Sequence, residues 1–448
     1  MTKIVITGGT IVNEGVEKPG YIVVSDDIIE KISFGDCPRE VLERARHIDA
    51  SGLLVMPGVI DDQVHFRDPG LTYKGDMHSE SRAGVAGGVT SFMDMPNTVP
   101  PTVTLEALED KYRDAAGKAM SNHAFFFGAT ADNVSLFDRL DPKRICGIKL
   151  FMGSSTGGLL VDDSAALDRI FSAAHLPLAV HCEDESLLRA NMAAAKARYG
   201  DNIPTEMHPV IRDSEVCYRS SARAVELAHK HGTRLHILHL STERELSLME
   251  RAPLEDKQVT GEVCMHHLWF TSDDYPTKGN MIKWNPAVKE LRDREALLQG
   301  LSDGLIDIAA TDHAPHTLEE KERPYISAPS GGPMLQHSLA LMLEIASRRG
   351  LGYSFAADKM AHRVARLFRI ERRGFLREGY YADIAIVDPK ADWTVSRENT
   401  LYKCGWSPLE GLTLRARVRA TFVNGQRVYD AEAGGIDTAV RGRRLLFD

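Results

Sequence analysis

An apolar run at residues 53–60 ends in a group of polar side chains that could do chemistry. The group occupies alternate positions, as Asp61, Gln63, His65 and Arg67. Alternate residues of a β-strand face the same side, so one face would carry a carboxylate, an amide, an imidazole and a guanidinium. Burying a neutral polar group without a partner costs about 2–7 kcal/mol. A buried ion-pair network would satisfy these groups, but we favour a metal or substrate site because other predicted strands end in the same way.

Eight short apolar runs alternate with helical segments between residues 53 and 375. Two of these segments, SEVCYRSSARAVELAHKHG and DREALLQGLSDG, have the apolar periodicity of amphipathic helices. Eight alternating strands predict an α/β fold, a (β/α)8 TIM barrel whose active site lies at the C-terminal ends of the strands. The predicted strands are LLVMPGVIDD, GVTSFMDMP, HAFFFGAT, ICGIKLFM, LPLAVHCED, RLHILHLS, VTGEVCMHH and IDIAATDHAPH.

Polar residues recur at the predicted C-terminal strand ends. A single polar strand end is common in a core, but repetition around a ring indicates a site. Imidazole and carboxylate groups suit zinc and similar divalent ions. We therefore predict metal ligands at His65, His181, His239 and Asp312. The other buried-looking histidines are interpreted as structural: His123, His266 and His267.

Lys149 lies among apolar residues in ICGIKLFMG. Lysine is rarely fully buried without a partner, so two interpretations remain open. The side chain could reach the strand end or pair with a carboxylate. Alternatively, desolvation could lower the pKa of its amine, which would then react with carbon dioxide to give a bridging carbamate.

The two ends of the chain have a pattern of short strands and turns, unlike the alternating strands and helices between them. Residues 1–52 include KIVITGGTIV, where Gly8-Gly9 predicts a hairpin turn rather than a nucleotide site. Residues 376–448 include RVRATFVNGQRVYD, with Asn424-Gly425 as a second hairpin signal. We predict one small β-sandwich domain built from both ends, with the barrel at residues 53–375 inserted between them.

Composition narrows the class of protein. The 448 residues are 43% hydrophobic and carry a net charge of −9 without long basic runs, which disfavours nucleic-acid binding. The N-terminus has no secretory pattern, and no apolar stretch approaches membrane-spanning length. Six scattered cysteines form no C-x-x-C pair. These features predict a reduced, cytoplasmic protein with no membrane or nucleic-acid partner, and they leave a homodimer open.

Seven motifs occur in order along nearly the whole chain: GVIDDQVHFRDPG, AGGVTSFMDMPNT, GIKLFMGSSTG, HCED, LHILHLS, KWNPAVK and ATDHAPHTLEEKE. In these motifs and in its split β domain, the chain resembles the dihydroorotases, cyclic amidases of the amidohydrolase superfamily. The resemblance implies a zinc-dependent barrel. The implied reaction is the reversible cyclisation of N-carbamoyl-L-aspartate to (S)-dihydroorotate in pyrimidine (UMP) biosynthesis.

The resemblance also implies roles for the predicted ligands. His65 and Asp312 would hold one metal, and His181 and His239 the other. Lys149, carboxylated, would bridge the two. A zinc-activated hydroxide would attack the ring amide carbonyl, and Asp312 would carry its proton to the leaving nitrogen as general acid/base. Zinc lowers the pKa of bound water to about 7, which suits this chemistry.

A further set of residues matches the positions that bind the carboxylate and the ring of the substrate in this family. An arginine grips a carboxylate with two parallel hydrogen bonds, which a lysine cannot do. Residues 153–158, GSSTGG, predict a mobile loop over the site, with Ser155 and Thr156 placed to bond the substrate. The substrate-binding residues implied by the resemblance are Arg67, Asn97, Asn285 and His316.

Gln63 departs from the family pattern, in which the first strand usually ends His-x-His. A glutamine oxygen is a poor zinc ligand beside imidazole. We therefore expect weaker metal binding near His65, with one or two zinc ions per chain. Gln63 could instead form hydrogen bonds beside the metal.

Two alternative functions follow from the same residues. One is another cyclic amidase, such as an allantoinase, a dihydropyrimidinase or a hydantoinase. These relatives generally lack the arginine two positions after the second histidine, whereas Arg67 is present here. The other is a non-catalytic dihydroorotase-like subunit, which Gln63 favours and the retained ligands disfavour.

Overall fold

Two sets of strands organise the chain in the computed structural model, which describes residues 3–153 and 158–448. A ten-stranded sheet is built from both ends of the chain, and a ring of parallel strands lies between them in sequence. Six strands precede the ring and are rich in valine and isoleucine, which favour extended backbone. They are β1 (Lys3–Thr7), β2 (Thr10–Asn13), β3 (Val16–Ser25), β4 (Ile28–Phe34), β5 (Arg46–Asp49) and β6 (Leu54–Pro57).

The predicted hairpin at Gly8-Gly9 is wrong. Lys3 lies opposite Ser25 and Thr10 lies opposite Pro19, so β1 and β2 run in the same direction along one long partner, β3. The chain therefore kinks at the glycine pair without reversing. Gly8 has a φ of 76°, a left-handed conformation that glycine adopts without strain.

The predicted first barrel strand is two strands with different partners. β6 pairs with terminal strands of the ten-stranded sheet, and the chain crosses into the ring at Gly58. A side chain at Gly58 would approach Thr90 to 2.2 Å, so only glycine fits this crossing. The ring strands are β7 (Val59–Val64), β8 (Val89–Asp94), β9 (Asn122–Phe125), β10 (Phe127–Gly128), β11 (Ile148–Phe151), β12 (Leu178–His181), β13 (Leu235–Ile237), β14 (Val259–Cys264) and β15 (Ile308–Ala310).

The ring closes into a barrel of eight parallel positions. Strands β7 to β9 pair in parallel, and so do β10 to β15. β9 and β10 form one interrupted strand, joined to β8 where Phe126 N–H donates to Asp94 O at 3.1 Å. The His65 N–H donates to His313 O at 2.7 Å and links the ends of the ring. The predicted (β/α)8 architecture is confirmed.

Helices surround the barrel and bury apolar residues against its outer face. Aspartates and threonines begin several of them by accepting backbone N–H groups, as Asp213 does before α7. Both helices predicted from periodicity are confirmed, as α7 and α10. The α-helices of the described residues are α1 (Arg39–Leu42), α2 (Met77–Ala86), α3 (Leu105–Lys118), α4 (Ser164–Ala173), α5 (Glu185–Tyr199), α6 (His208–Ile211), α7 (Ser214–His231), α8 (Met265–Trp269), α9 (Tyr275–Lys278), α10 (Leu291–Ser302), α11 (Leu318–Lys321), α12 (Ser338–Arg348), α13 (Tyr353–Ala357) and α14 (Arg363–Phe368).

Shorter helical turns occupy several connections, and none of the described helices combines the length and hydropathy needed to span a membrane. A π-helical turn, Asp358–His362, joins α13 to α14. The 3-10 turns are Val134–Arg139, Thr205–Met207, Arg244–Leu248, Leu254–Asp256, Ser272–Asp274, Gly279–Ile282 and Leu335–His337.

Four of the last six strands, β16 and β19 to β21, return to the terminal sheet, and β17 and β18 form a separate two-stranded sheet. Val423 pairs with Gln426 across Asn424-Gly425, so the second predicted hairpin is confirmed. Both turn residues have positive φ, 50° and 75°, as a tight two-residue turn requires. The strands are β16 (Ile384–Asp388), β17 (Trp393–Thr394), β18 (Thr413–Leu414), β19 (Arg417–Val423), β20 (Gln426–Asp430) and β21 (Gly435–Ile436).

The final residues of the chain close the N-terminal end of the barrel. His123 N–H, on β9, donates to Arg443 O, and Leu445 N–H donates back to His123 O, both at 2.9 Å. Leu445 is fully buried, and it packs in one cluster with Phe447 and barrel-interior residues such as Met93. The opposite, C-terminal end remains available for a site.

Leu445→Ala should destabilise the fold, because it removes a fully buried side chain from this closure. The expected loss in free energy of unfolding is about 2–5 kcal/mol. The matched control is Leu446→Ala. Leu446 is 44% exposed, so its truncation should change the free energy of unfolding by only about 0.5 kcal/mol. Urea denaturation of both variants measures the difference. Equal stabilities would show that burial of Leu445 at the N-terminal end of the barrel does not stabilise the fold.

Candidate metal and substrate site

One cleft at the C-terminal end of the barrel collects nearly all the predicted site residues. His65 and Arg67 follow β7, Lys149 lies in β11, and His181 ends β12. Arg67, His239 and Asp312 have positive φ values of 69°, 39° and 46°, so the backbone turns sharply where these strands end. The predicted residues that line the cleft are His65, Arg67, Asn97, Lys149, His181, His239, Asn285 and Asp312.

His181 and His239 form a convergent pair of ring nitrogens. His181 Nε2 lies 3.0 Å from Glu183 Oε2. Burial would raise the pKa of Glu183, but Arg212 and His181 hold it at about 2. The ionised carboxylate therefore accepts a hydrogen bond from the Nε2–H of His181. The lone pair of His181 therefore lies on Nδ1, which is 2.9 Å from His239 Nε2. Burial lowers the pKa of both histidines, which favours the neutral, ligating form.

His65 and Asp312 form a second convergent pair. His65 Nδ1 donates to Asn97 Oδ1 at 2.7 Å, so its lone pair lies on Nε2. That nitrogen is 3.1 Å from Asp312 Oδ1. A lone pair facing a carboxylate oxygen is repulsive unless a proton or a cation lies between them. Gln63 Nε2 donates to the same Asp312 oxygen at 3.3 Å, so this amide presents its nitrogen to the pair.

Lys149 is close enough to both pairs to interact with their charges. Its side chain is 1% exposed, and burial lowers the pKa of its amine to about 7, although nearby carboxylates oppose the shift. An uncharged amine is the form that reacts with carbon dioxide. Lys149 could therefore supply either an amine or a carbamate to the cleft.

These donors fit zinc on the chemistry of their ligand set. Each pair aims an imidazole lone pair at a second donor about 3 Å away, as ligands of one ion do. Glu183 behind His181 and Asn97 behind His65 fix the ring tautomers, in the way that hydrogen-bond partners commonly orient metal-binding histidines. The residues that could hold metal are the predicted ones: His65, Lys149, His181, His239 and Asp312.

Basic groups converge beside the candidate metal ligands of the cleft. Arg67 is 5% exposed, its Nε donates to Pro315 O at 3.1 Å, and its Nη2 lies 3.0 Å from His316 Nε2. Lys74 Nζ donates to His316 Nδ1 at 2.9 Å and pairs with Glu320 at 2.9 Å. Burial and Arg67 lower the pKa of His316 well below its usual value. The local charge favours an anionic ligand.

The remaining wall of the cleft is formed by Trp284, Asn285, Ser330 and Gly331. Lys321 Nζ donates to Gly331 O at 2.6 Å and thereby anchors this segment. The predicted lid residues Ser155 and Thr156 lie outside the described residues.

Several supporting residues were not assigned a role from the sequence. Glu183 could have been found from its position two residues after His181 in HCED, but Arg212 and Lys74 carry no motif signal. A further group, Asp62, His236 and Glu262, is buried with ligand-type atoms within 4.8 Å of one another.

Known proteins resemble this chain in sequence and in fold. The model of the amidohydrolase family matches residues 54–428. A dihydroorotase of Halobacterium salinarum is 35% identical over 382 residues, which cover 84% of this chain and 87% of the relative. An allantoinase of Streptomyces avermitilis is 32% identical over 437 residues, covering 96% and 95%. The L-hydantoinase of Arthrobacter aurescens superposes with a TM-score of 0.89 at 28% identity, covering 96% of each chain.

The chain belongs to the amidohydrolase family, which is a family of hydrolases. Its match to dihydroorotases over most of its length confirms the resemblance predicted from the motifs. Relatives named for other cyclic amides occur at similar identity, so family membership leaves the substrate to be argued from the site.

Glu183→Gln should weaken zinc binding, because it removes the negative charge that orients His181. Loss of such a partner typically lowers metal affinity about 10–100-fold. Competition with a chelator for zinc measures the change. Glu185→Gln is the matched control, because Glu185 lies in the first turn of α5, two positions along. Equal affinities in both variants would remove Glu183 from the site.

Proposed function

We propose that this amidohydrolase is a dihydroorotase, which cyclises N-carbamoyl-L-aspartate reversibly to (S)-dihydroorotate in pyrimidine biosynthesis. The observation that carries this proposal is the buried guanidinium of Arg67 at the edge of the metal-binding cleft. The proposal includes zinc as the cofactor, with carboxylated Lys149 as a bridging ligand, and a cytoplasmic location. Whether the protein forms a homodimer is left to a measurement of its mass in solution.

Arg67 is suited to a substrate that carries a carboxylate. A buried cation needs a compensating anion, and the guanidinium here contacts a backbone carbonyl and an imidazole. Its planar fork matches a carboxylate with two parallel hydrogen bonds. Dihydroorotate has such a carboxylate on the ring that is opened, which would place the ring amide towards Asp312.

Asp312 is suited to move a proton during amide cleavage. A bound zinc ion would supply activated water near neutral pH and positive charge for the amide oxygen. Asp312 Oδ1 faces His65 Nε2 and receives the Gln63 amide, so the carboxylate is held in one orientation. We assign it the transfer of a proton to the leaving nitrogen. Asn97, Asn285 and His316 are assigned to substrate binding.

An allantoinase or hydantoinase is the competing function, supported by the 32% identical allantoinase relative. The basic groups of Arg67, Lys74 and His316 favour the carboxylate-bearing substrate over it. A direct test measures ring opening of dihydroorotate, allantoin and 5,6-dihydrouracil by the zinc-loaded protein. We expect dihydroorotate to have the highest kcat/KM. A preference for allantoin or dihydrouracil would contradict the proposal, and turnover of none would favour a non-catalytic subunit.

Arg67→Lys should raise KM for dihydroorotate although the charge is kept, because the planar fork is lost. A charge-assisted hydrogen bond is worth about 1.5–3 kcal/mol, which corresponds to roughly 10–150-fold in kcat/KM. Steady-state kinetics at saturating zinc measure the effect, and zinc content serves as the control for an intact metal site. An unchanged KM would show that Arg67 does not grip the substrate.

Asp312→Asn should fold and keep its zinc at His181 and His239 but lose turnover. Removing a general acid/base typically costs about 10²–10⁴-fold in rate. The measurements are kcat for dihydroorotate and zinc per chain. Activity within a few-fold of the unmodified protein would exclude Asp312 as the proton carrier.

A further inference from the structure

A second group of ligand-type side chains lies inside the barrel. Asp62 is on β7, His236 on β13 and Glu262 on β14, and each is at most 1% exposed. β7 and β13 are separated in the ring by β14 and β15, so their side chains meet through the barrel interior. His236 Nε2 lies 3.4 Å from Asp62 Oδ2 and 3.9 Å from Glu262 Oε2.

The atoms that face one another in this group lack hydrogen bonds. Within the part of the chain that the structure describes, both oxygens of Asp62, Oε2 of Glu262 and Nε2 of His236 have no hydrogen-bond partner. All are fully buried, where an unsatisfied polar atom is costly, and an unpaired carboxylate even more so. A cation between these atoms, or a proton on one of them, must therefore compensate the buried lone pairs.

Thr260 determines which nitrogen of His236 faces the carboxylates with a lone pair. The Thr260 hydroxyl donates to Leu235 O at 3.1 Å, so it accepts from His236 Nδ1–H at 2.9 Å. The proton on Nδ1 leaves Nε2 as the free donor atom. This is the tautomer that histidine adopts when Nε2 binds a metal and Nδ1–H is held by a partner.

We propose that Asp62, His236 and Glu262 bind a divalent ion of the zinc class, separate from the metal centre of the cleft. Two carboxylates and one imidazole form a ligand set that suits such ions. Ligands about 2.0–2.2 Å from a tetrahedral zinc ion lie about 3.4 Å apart. The spacings of 3.4 and 3.9 Å around His236 Nε2 are close to that value.

The proposed ion would also support the cleft above it. Glu262 Oε1 accepts the backbone N–H of His239 at 3.0 Å and the Cys264 thiol at 3.3 Å. An ion on Oε2 would fix the Glu262 carboxylate and, through it, the backbone of a predicted zinc ligand.

The competing occupant of the space between these side chains is a proton on His236. Burial would lower the pKa of His236, but Asp62 and Glu262 raise it to about 9.

Crystals of the unmodified, full-length protein grown with excess zinc give the decisive test. An anomalous difference map at the zinc edge should show a peak about 2.0–2.2 Å from His236 Nε2 and from oxygens of Asp62 and Glu262. A water molecule or no peak at that position would overturn the proposal and leave a protonated His236 as the cation. This outcome does not depend on which substrate the cleft accepts.

Zinc counting by elemental analysis provides a second, independent measurement. His236→Gln should contain one zinc per chain fewer than the unmodified protein. His123→Gln is the matched control, because His123 is another buried barrel histidine with an unpartnered ring nitrogen, and it should keep the full count. An unchanged count in folded His236→Gln would overturn the proposal, and if that variant does not fold, the crystal map decides. Failure of the dihydroorotase assay alone would leave the zinc counts unaffected.

Discussion

The convergence of imidazole and carboxylate donor atoms in a buried cleft is the constraint on which this site depends. His181 Nδ1 and His239 Nε2 face each other across 2.9 Å, and His65 Nε2 faces Asp312 across 3.1 Å. Such arrangements need a shared proton or a cation between the facing atoms, because two facing lone pairs repel. The barrel imposes them, because parallel strands deliver their last residues to one rim and the backbone is already fixed by the ring. The donors are therefore arranged before any ion arrives.

Hydrogen bonds behind two of the histidines fix the direction of their lone pairs. Glu183 accepts a hydrogen bond from His181 and Asn97 accepts one from His65, so the opposite ring nitrogen faces the cleft. Gln63 acts differently from the histidine that is usual at this position, because its amide nitrogen donates a hydrogen bond to Asp312. It supports the carboxylate that we propose as the proton carrier, at a position where the family pattern usually has a histidine.

A group of polar and basic side chains lies at the rim of the cleft, beside the proposed metal ligands. The fold is shared with a hydantoinase, and sequence identity is nearly equal for an allantoinase and the dihydroorotases. Discrimination must therefore come from side chains at the rim. Arg67 and His316, with Lys74 and Glu320 behind them, form a buried polar cluster at this rim. We propose that the guanidinium of this cluster binds a substrate carboxylate.

The sequence by itself determined the barrel, its eight strands and the predicted ligands at their ends, because apolar runs that stop at polar residues are a local signal. It also indicated Lys149, since a lysine within such a run is conspicuous. Only the tertiary structure decided which nitrogen of each histidine faces the cleft and that Gly8-Gly9 is a kink. Strand partners and tautomers are set by groups distant in the chain, such as Asn97 for His65 and Thr260 for His236. The group of Asp62, His236 and Glu262 shows the same limit, because its members are up to 200 positions apart and meet only when the ring closes.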